Sequence, residues 1–141
     1  MPLRTRPTAS VPLADSSKSA RSAAFRLAAI LLGSGTLHLA KPAMWDQLVP
    51  TQLPGEARTY VYASGVAELA VGAALLAPQT RKMAGGAAAL LFVAVLPGNI
   101  KMAADLLKSD KTTTPMKAGG LLRLPLQIPL VTEALKVRSR A

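Results

Sequence analysis

A chain of 141 residues has room for one domain, and with 50% hydrophobic residues, 17% charged and a mean hydropathy of +0.31 it is too apolar for an ordinary soluble one. The absence of cysteine excludes intrinsic thiol–disulfide chemistry and a disulfide scaffold. The net charge of +10 argues for orientation in a membrane rather than for nucleic acid, because the basic residues cluster at the ends of apolar blocks with no aromatic-interleaved basic surface.

Residues 1–21 are polar, basic and rich in Pro, Ser and Ala, and read as a disordered tail. Residues 22–40 form the first predicted span, with Arg26 snorkelling at its start. Its short core, Leu27 to Gly33, admits a cleaved secretory signal as a rival reading, but Ser34, Thr36 and His38 interrupt it where a signal is purest. Lys41-Pro42 stops this helix, since proline lacks the amide donor and restricts the residue before it. Residues 42–59 follow as a loop with Pro50, Pro54 and Gly55, held at the interface by Met44, Trp45, Leu48 and Val49.

The second span, 60–77, ends at Pro78, and the short connector Pro78-Gln-Thr-Arg-Lys82 makes spans two and three antiparallel neighbours. The third span is 83–102, with Pro97-Gly98 near its far end. Residues 103–118 read as a charged loop, 119–137 as the fourth span, and 138–141 as a basic tail. The expected fold is thus an all-α integral membrane bundle of four transmembrane helices over 22–137. Of the lysines and arginines outside the spans or at their ends, ten fall on the side of the termini and six on the other, which places both termini in the cytoplasm.

Each span carries an out-of-place polar residue: His38, Glu68, Asn99, and the pair Arg123 and Gln127. Glu68 is alone in a run of apolar or small residues, where an ionisable group costs about 2.5–3.5 kcal/mol on insertion scales and so must face a partner or a wet cavity. It lies about 12 Å below the outer start of its span, at about 1.5 Å per residue, and the other four residues also fall in the outer half of the membrane. Ser34 and His38 share a face, as do Arg123 and Gln127, and Ser64, Glu68 and Gly72 form one row of a packing face. The simplest electrostatic arrangement pairs Glu68 with Arg123, with His38, Asn99 and Gln127 satisfying the remaining donors and acceptors. Pro97, Pro125 and Pro129 release the carbonyls of Val93, Leu121 and Pro125, which suits a bent helix lining a cavity.

Blander readings stand beside this one. A Glu–Arg pair can simply clamp helix register, and His38 can simply cap a helix end. A single His without Cys gives no metal site, the glycines match packing contacts better than a phosphate loop, and no Ser or Thr is placed as a nucleophile, so no catalytic residue is assigned.

The motifs Gly35-Thr-Leu-His-Leu-Ala-Lys-Pro42, Val49-Pro50 with Leu53-Pro54, Tyr62-Ala-Ser-Gly-Val-Ala-Glu68, Leu76-Ala-Pro-Gln-Thr-Arg81, Val95-Leu-Pro-Gly-Asn-Ile-Lys-Met102 and Arg123-Leu-Pro-Leu-Gln127, in this order, resemble the DoxX-like family of small four-helix membrane proteins. The resemblance runs over about residues 25–137, and departs at Gly98, where relatives more often carry Ala, and in a less aromatic fourth span. It implies an integral membrane protein linked to redox systems: members are described as a quinone-oxidoreductase subunit in some archaea and as a membrane partner of thiol and superoxide-detoxifying enzymes in some actinobacteria. The family's polar pattern carries over to His38, Glu68, Asn99, Arg123 and Gln127, without an established catalytic role. The resulting expectation is a bacterial inner-membrane component of a redox or oxidative-stress assembly, embedded in the lipid bilayer beside an oxidoreductase or stress-defence partner. It is not an enzyme on its own, since no residue of the chain carries electrons. No cofactor is fixed by the sequence, a quinone is compatible with the polar centre, and so is an oligomer. A small proton-coupled or lipophilic-solute transporter, with Glu68 titrating, and a purely structural scaffold are the alternatives.

Overall fold

The computed structural model describes residues 13–110 and 113–141, with side chains described from Ser17 onward. The described residues are helical with no strand: α1 (Leu13–Ala40), the short α2 (Ala43–Asp46), α3 (Ala57–Leu76), α4 (Arg81–Ala94), α5 (Leu96–Lys108) and α6 (Thr114–Arg140). Three stretches are long and apolar enough to cross a membrane: Ser17–Ala40, Ala57–Leu76 and the nearly continuous Arg81–Lys108. They are consistent with a multi-pass membrane protein. α6 has 27 residues, but Arg123, Gln127 and Glu133 lower its hydropathy and it is not among these stretches.

The helices pack in a ring, α1 on α3, α3 on α4, α4 on α6 and α6 on α1, with α5 continuing the α4 rod along α6. α3 buries Val61, Gly65, Glu68, Gly72 and Leu75, a stripe with spacings of three and four that a 3.6-residue repeat places on one face. At one end of the bundle the core is built from alanines and a few large side chains: Ala23, Ala24, Leu27, Leu31, Leu75, Ala88, Phe92, Ala134 and Val137. Small residues let the helices close tightly here. Gly85 shows how closely, since a Cβ on it would lie 2.7 Å from the Arg138 amide nitrogen.

The connectors explain the helix ends. Arg81 donates from Nε and Nη2 to the carbonyls of Leu75 and Leu76, at 2.9 Å each, and Thr80 Oγ1 donates to Ala74 O at 2.7 Å. The orphan carbonyls at the end of α3 are thereby satisfied within the turn. Thr113 caps α6 by accepting from the Met116 amide, and Pro115 occupies the first turn, where no amide donor is needed. Arg26, expected to snorkel, instead reaches Glu133 of α6 at 2.6 Å.

Three boundaries differ from the sequence reading. α1 begins at Leu13, so residues 13–21 of the expected tail are helical, and residues 1–12 lie outside the described residues. The cause is packing: Ala20, Ala23 and Ala24 are all at most 1% exposed, and alanine is the best helix former. The charged loop expected at 103–118 is much shorter. α5 runs through Asp105 to Lys108 because Ala103 is buried in the bundle while the charged residues lie towards the outside, where Lys101 and Asp105 pair at 2.8 Å. The expected third span is divided at Val95, the residue through which Pro97 enters the first turn of a new helix.

Candidate functional site

At the other end of the bundle the helices part around a cavity of about 610 Å³. Its wall is mainly apolar, with Ile30, Val61, Leu91, Phe92 and Leu130 among the lining residues. Into this wall α1 brings Ser34 and His38, α3 brings Glu68, α5 brings Asn99, and α6 brings Arg123 and Gln127. All five residues singled out from the sequence therefore line one cavity.

They are not equally buried. His38 is 8%, Glu68 6% and Asn99 7% exposed, Gln127 is half-buried, and Arg123 is exposed. The expected Glu68–Arg123 pair is not formed among the described residues: the Arg123 guanidinium turns to the sulfur of Met102 at 3.9 Å. Glu68 faces α1 instead. Its Oε2 lies 3.2 Å from His38 Nδ1 and its Oε1 accepts from Ser34 Oγ at 3.4 Å.

The reason is the crossing of α1 and α3, which meet at glycines. A Cβ on Gly35 would lie 2.8 Å from the Gly65 carbonyl and 3.1 Å from Glu68 Cβ, and one on Gly65 would lie 2.9 Å from His38 Cβ. Only backbones this close bring a histidine of α1 against a carboxylate of α3, while an arginine on α6 has the length to turn towards the open side.

The imidazole is oriented by its own helix. His38 Nδ1 is 2.7 Å from the carbonyl oxygen of Ser34. A carbonyl can only accept, so Nδ1 carries a proton and donates it there. The N–H spent on Ser34 O is the one closest to Glu68 Oε2, and that carboxylate oxygen is buried without a hydrogen-bond partner. Two more buried polar atoms lack one, Trp45 Nε1 and Gln127 Oε1, and both residues line the same cavity. The Asn99 side chain, buried in the same wall, makes no hydrogen bond with a described residue. Buried polar groups are paired in the great majority of cases, so several unpaired ones around a single cavity mark it as a place for a ligand's polar atoms.

Trp45 is the residue whose role the sequence reading missed. The sequence places it in an interfacial loop and gives it no partner, whereas in the fold its ring stacks on His38, with centroids 4.2 Å apart and planes 11° from parallel. The stop at Lys41-Pro42 and the single turn of α2 fold the chain back over the end of α1, which brings Trp45 onto the histidine seven positions before it. With Leu48, Val49, Pro50 and Leu53 it roofs the cavity. The roof is tied down at three points: Arg58 holds Asp46 through Nη2 at 2.7 Å and Nε at 3.1 Å, Lys101 Nζ donates to Gln47 O at 2.6 Å, and the Tyr60 hydroxyl donates to Pro54 O. The hydrogen bonds and charge of Arg58 hold the half-buried Asp46 carboxyl below the ordinary carboxylate range.

A second cavity of about 620 Å³, lined by Met44, Met102, Met116 and Asp105, shares Trp45, Leu48 and Arg123 with the first. Arg123 thus stands in the wall between the two.

The family model that matches residues 27–138 is described as a domain of unknown function, DUF8561. The chain belongs to this family. The matched region contains every residue of the polar cluster and its roof and leaves out the first half of α1. No curated protein and no solved structure matches the chain.

Proposed function

We propose that this DUF8561 protein is a four-span protein of the bacterial inner membrane, with both termini cytoplasmic, whose cavity binds a lipophilic small molecule as part of a redox or oxidative-stress assembly. The observation that carries the ligand site is the clustering of unpaired buried polar atoms of Glu68, Gln127 and Trp45 around one largely apolar cavity. α6 would serve as the fourth span because it packs on α1, α4 and α5 and so shares their environment. The excess of Lys and Arg at the ends near the termini supports the orientation. A quinone fits the site by class: the apolar wall suits its ring, and Trp45 Nε1 and the Asn99 amide are donors for its carbonyl oxygens. The chain's own residues would hold and orient such a ring and exclude water from it, and an oxidoreductase or stress-defence partner would use it.

The test is purification of the tagged protein in mild detergent, followed by mass spectrometry of co-purifying proteins and extracted lipids. A stoichiometric quinone or other lipophile, or an oxidoreductase partner, lost in Glu68→Gln, is the expected result. Recovery of bulk phospholipid alone, with no partner, refutes the assembly. Orientation is tested separately, because the cysteine-free chain accepts single reporters. A membrane-impermeant maleimide should label Thr51→Cys in intact cells and leave Ser139→Cys unlabelled.

The buried His38–Glu68 contact favours a second reading, proton-coupled transport with Glu68 as the titrating group. Under it, Glu68→Gln abolishes a proton-dependent flux in proteoliposomes.

A further inference from the structure

We propose that the cavity selects its ligand through a hydroxyl group, and discriminates against molecules of the same shape whose oxygen can only accept a hydrogen bond. This rests on the reading of the cavity as a ligand site and specifies the chemistry that the site demands.

The argument is a count of unspent donors and acceptors. Glu68 Oε1 accepts from Ser34 Oγ at 3.4 Å, and Oε2 lies 3.2 Å from His38 Nδ1. Ser34 uses Oε1, but the Nδ1 hydrogen is directed to the Ser34 carbonyl at 2.7 Å, which leaves Oε2 unspent. Gln127 Oε1 is a second unspent acceptor, and Trp45 Nε1 is a fully buried unspent donor in a wall that also holds the Asn99 amide. An indole N–H can only donate. The site therefore asks for a group that gives a hydrogen to Glu68 or Gln127 and takes one from Trp45.

A hydroxyl offers both a hydrogen and lone pairs, and Trp45 and Glu68 flank the same imidazole, the indole stacked on His38 at 4.2 Å and Oε2 3.2 Å from its Nδ1. A ketone, ether or ester oxygen can pair with Trp45 or the Asn99 amide but leaves the buried acceptor oxygens of Glu68 and Gln127 unpaired. An ammonium group satisfies the acceptors but offers nothing to Trp45. Where a ligand displaces water from these atoms the preference is the same, because affinity is kept only by a group that repeats the water's hydrogen bonds. The rest of the ligand is apolar, as the wall requires. In a redox setting this favours the reduced, hydroxyl-bearing form of a ring over its oxidised, carbonyl-bearing form.

The measurement uses the full-length protein in detergent and a matched pair of probes, 4-octylphenol and 4-octylanisole, which differ in methylation of the hydroxyl. Trp45 is the only tryptophan of the chain and lies in the cavity wall, so its fluorescence reports binding directly. Affinities are corrected for partition of each probe into protein-free micelles. The phenol is expected to bind at least about tenfold more tightly, the scale of one buried acceptor left unsatisfied. Glu68→Gln replaces one acceptor oxygen by an amide that can donate to the ether oxygen, and Gln127→Leu removes the second acceptor. Each is expected to bring the ratio towards one. Saturable binding of both probes with equal affinity overturns the hydroxyl selection but leaves the cavity as a ligand site. Binding of neither probe overturns both readings. A tenfold preference that survives both substitutions also overturns the proposal, since the acceptors would then not be the source of selection.

Discussion

Replacing Gly65 by Ala tests whether the α1–α3 crossing creates the polar centre. The new Cβ would lie 2.9 Å from His38 Cβ, 3.1 Å from the Gly35 carbonyl oxygen and 3.2 Å from Leu39 Cδ2. Carbon atoms rest at about 3.5–4.0 Å, so α1 must withdraw by roughly 0.6–1.1 Å at the crossing. Two of the atoms in the way are a backbone oxygen and a Cβ, neither of which can move without its helix. Overpacking of this kind costs about 1–3 kcal/mol, and removing a helical glycine returns roughly 0.5–1 kcal/mol, for a net loss of roughly 0–2.5 kcal/mol, centred on about 1 kcal/mol. The same withdrawal lengthens the 3.2 Å contact between His38 and Glu68. Gly33→Ala is the control: nothing lies within 4 Å of a Cβ there, so it keeps only the roughly 0.5–1 kcal/mol helix gain. Both are measured by SDS-driven unfolding in mixed micelles, followed through Trp45 fluorescence. Stability in Gly65→Ala equal to that of Gly33→Ala would refute the close-crossing argument.

Three further expectations follow from the site. His38→Ala removes the donor to Ser34 O and Glu68→Ala the acceptor of Ser34 Oγ, each at about 1–3 kcal/mol, and because the two side chains lie 3.2 Å apart the double variant should lose less than the sum of the two by at least about 0.5 kcal/mol. Strict additivity in the same unfolding assay would mean that the two side chains do not interact. Arg123→Ala removes an exposed side chain and should change stability by no more than about 0.5 kcal/mol, whereas a larger loss would restore it as a buried partner of Glu68. Acid should loosen the roof. Asp46 titrates lower in the folded protein than in the unfolded chain, so its contribution is complete above the ordinary carboxylate value of about 3.9 and is lost as the pH falls through the lower folded value. A change in Trp45 fluorescence below about pH 4 that is absent in Asp46→Asn is the expected result, and an identical profile in the variant would place the titration elsewhere.

Much of this architecture was written in local chemistry. A carboxylate or an imidazole in an apolar block is conspicuous because burying it is costly, so His38, Glu68 and Asn99 could be selected without coordinates, and with a 3.6-residue repeat their faces and depths could be compared. Pro42 and Pro78 mark helix boundaries for a reason internal to proline, the missing amide donor. These signals need only near neighbours in the chain.

What the tertiary structure alone decided is which of these groups meet. Gly35 and Gly65 are visible in the sequence, but that they touch each other, and so deliver His38 rather than Arg123 to Glu68, depends on how two distant helices cross. The same holds for Trp45, whose place over His38 depends on the fold-back of α2. It holds too for the start of α1 at Leu13, where burial of Ala20 and Ala23 orders a stretch whose composition reads as a tail. Local propensity and the cost of burial act residue by residue and can be read from one chain. Partner choice is set by the separation of helix axes at a crossing, to within about the 1 Å that one methyl group would add.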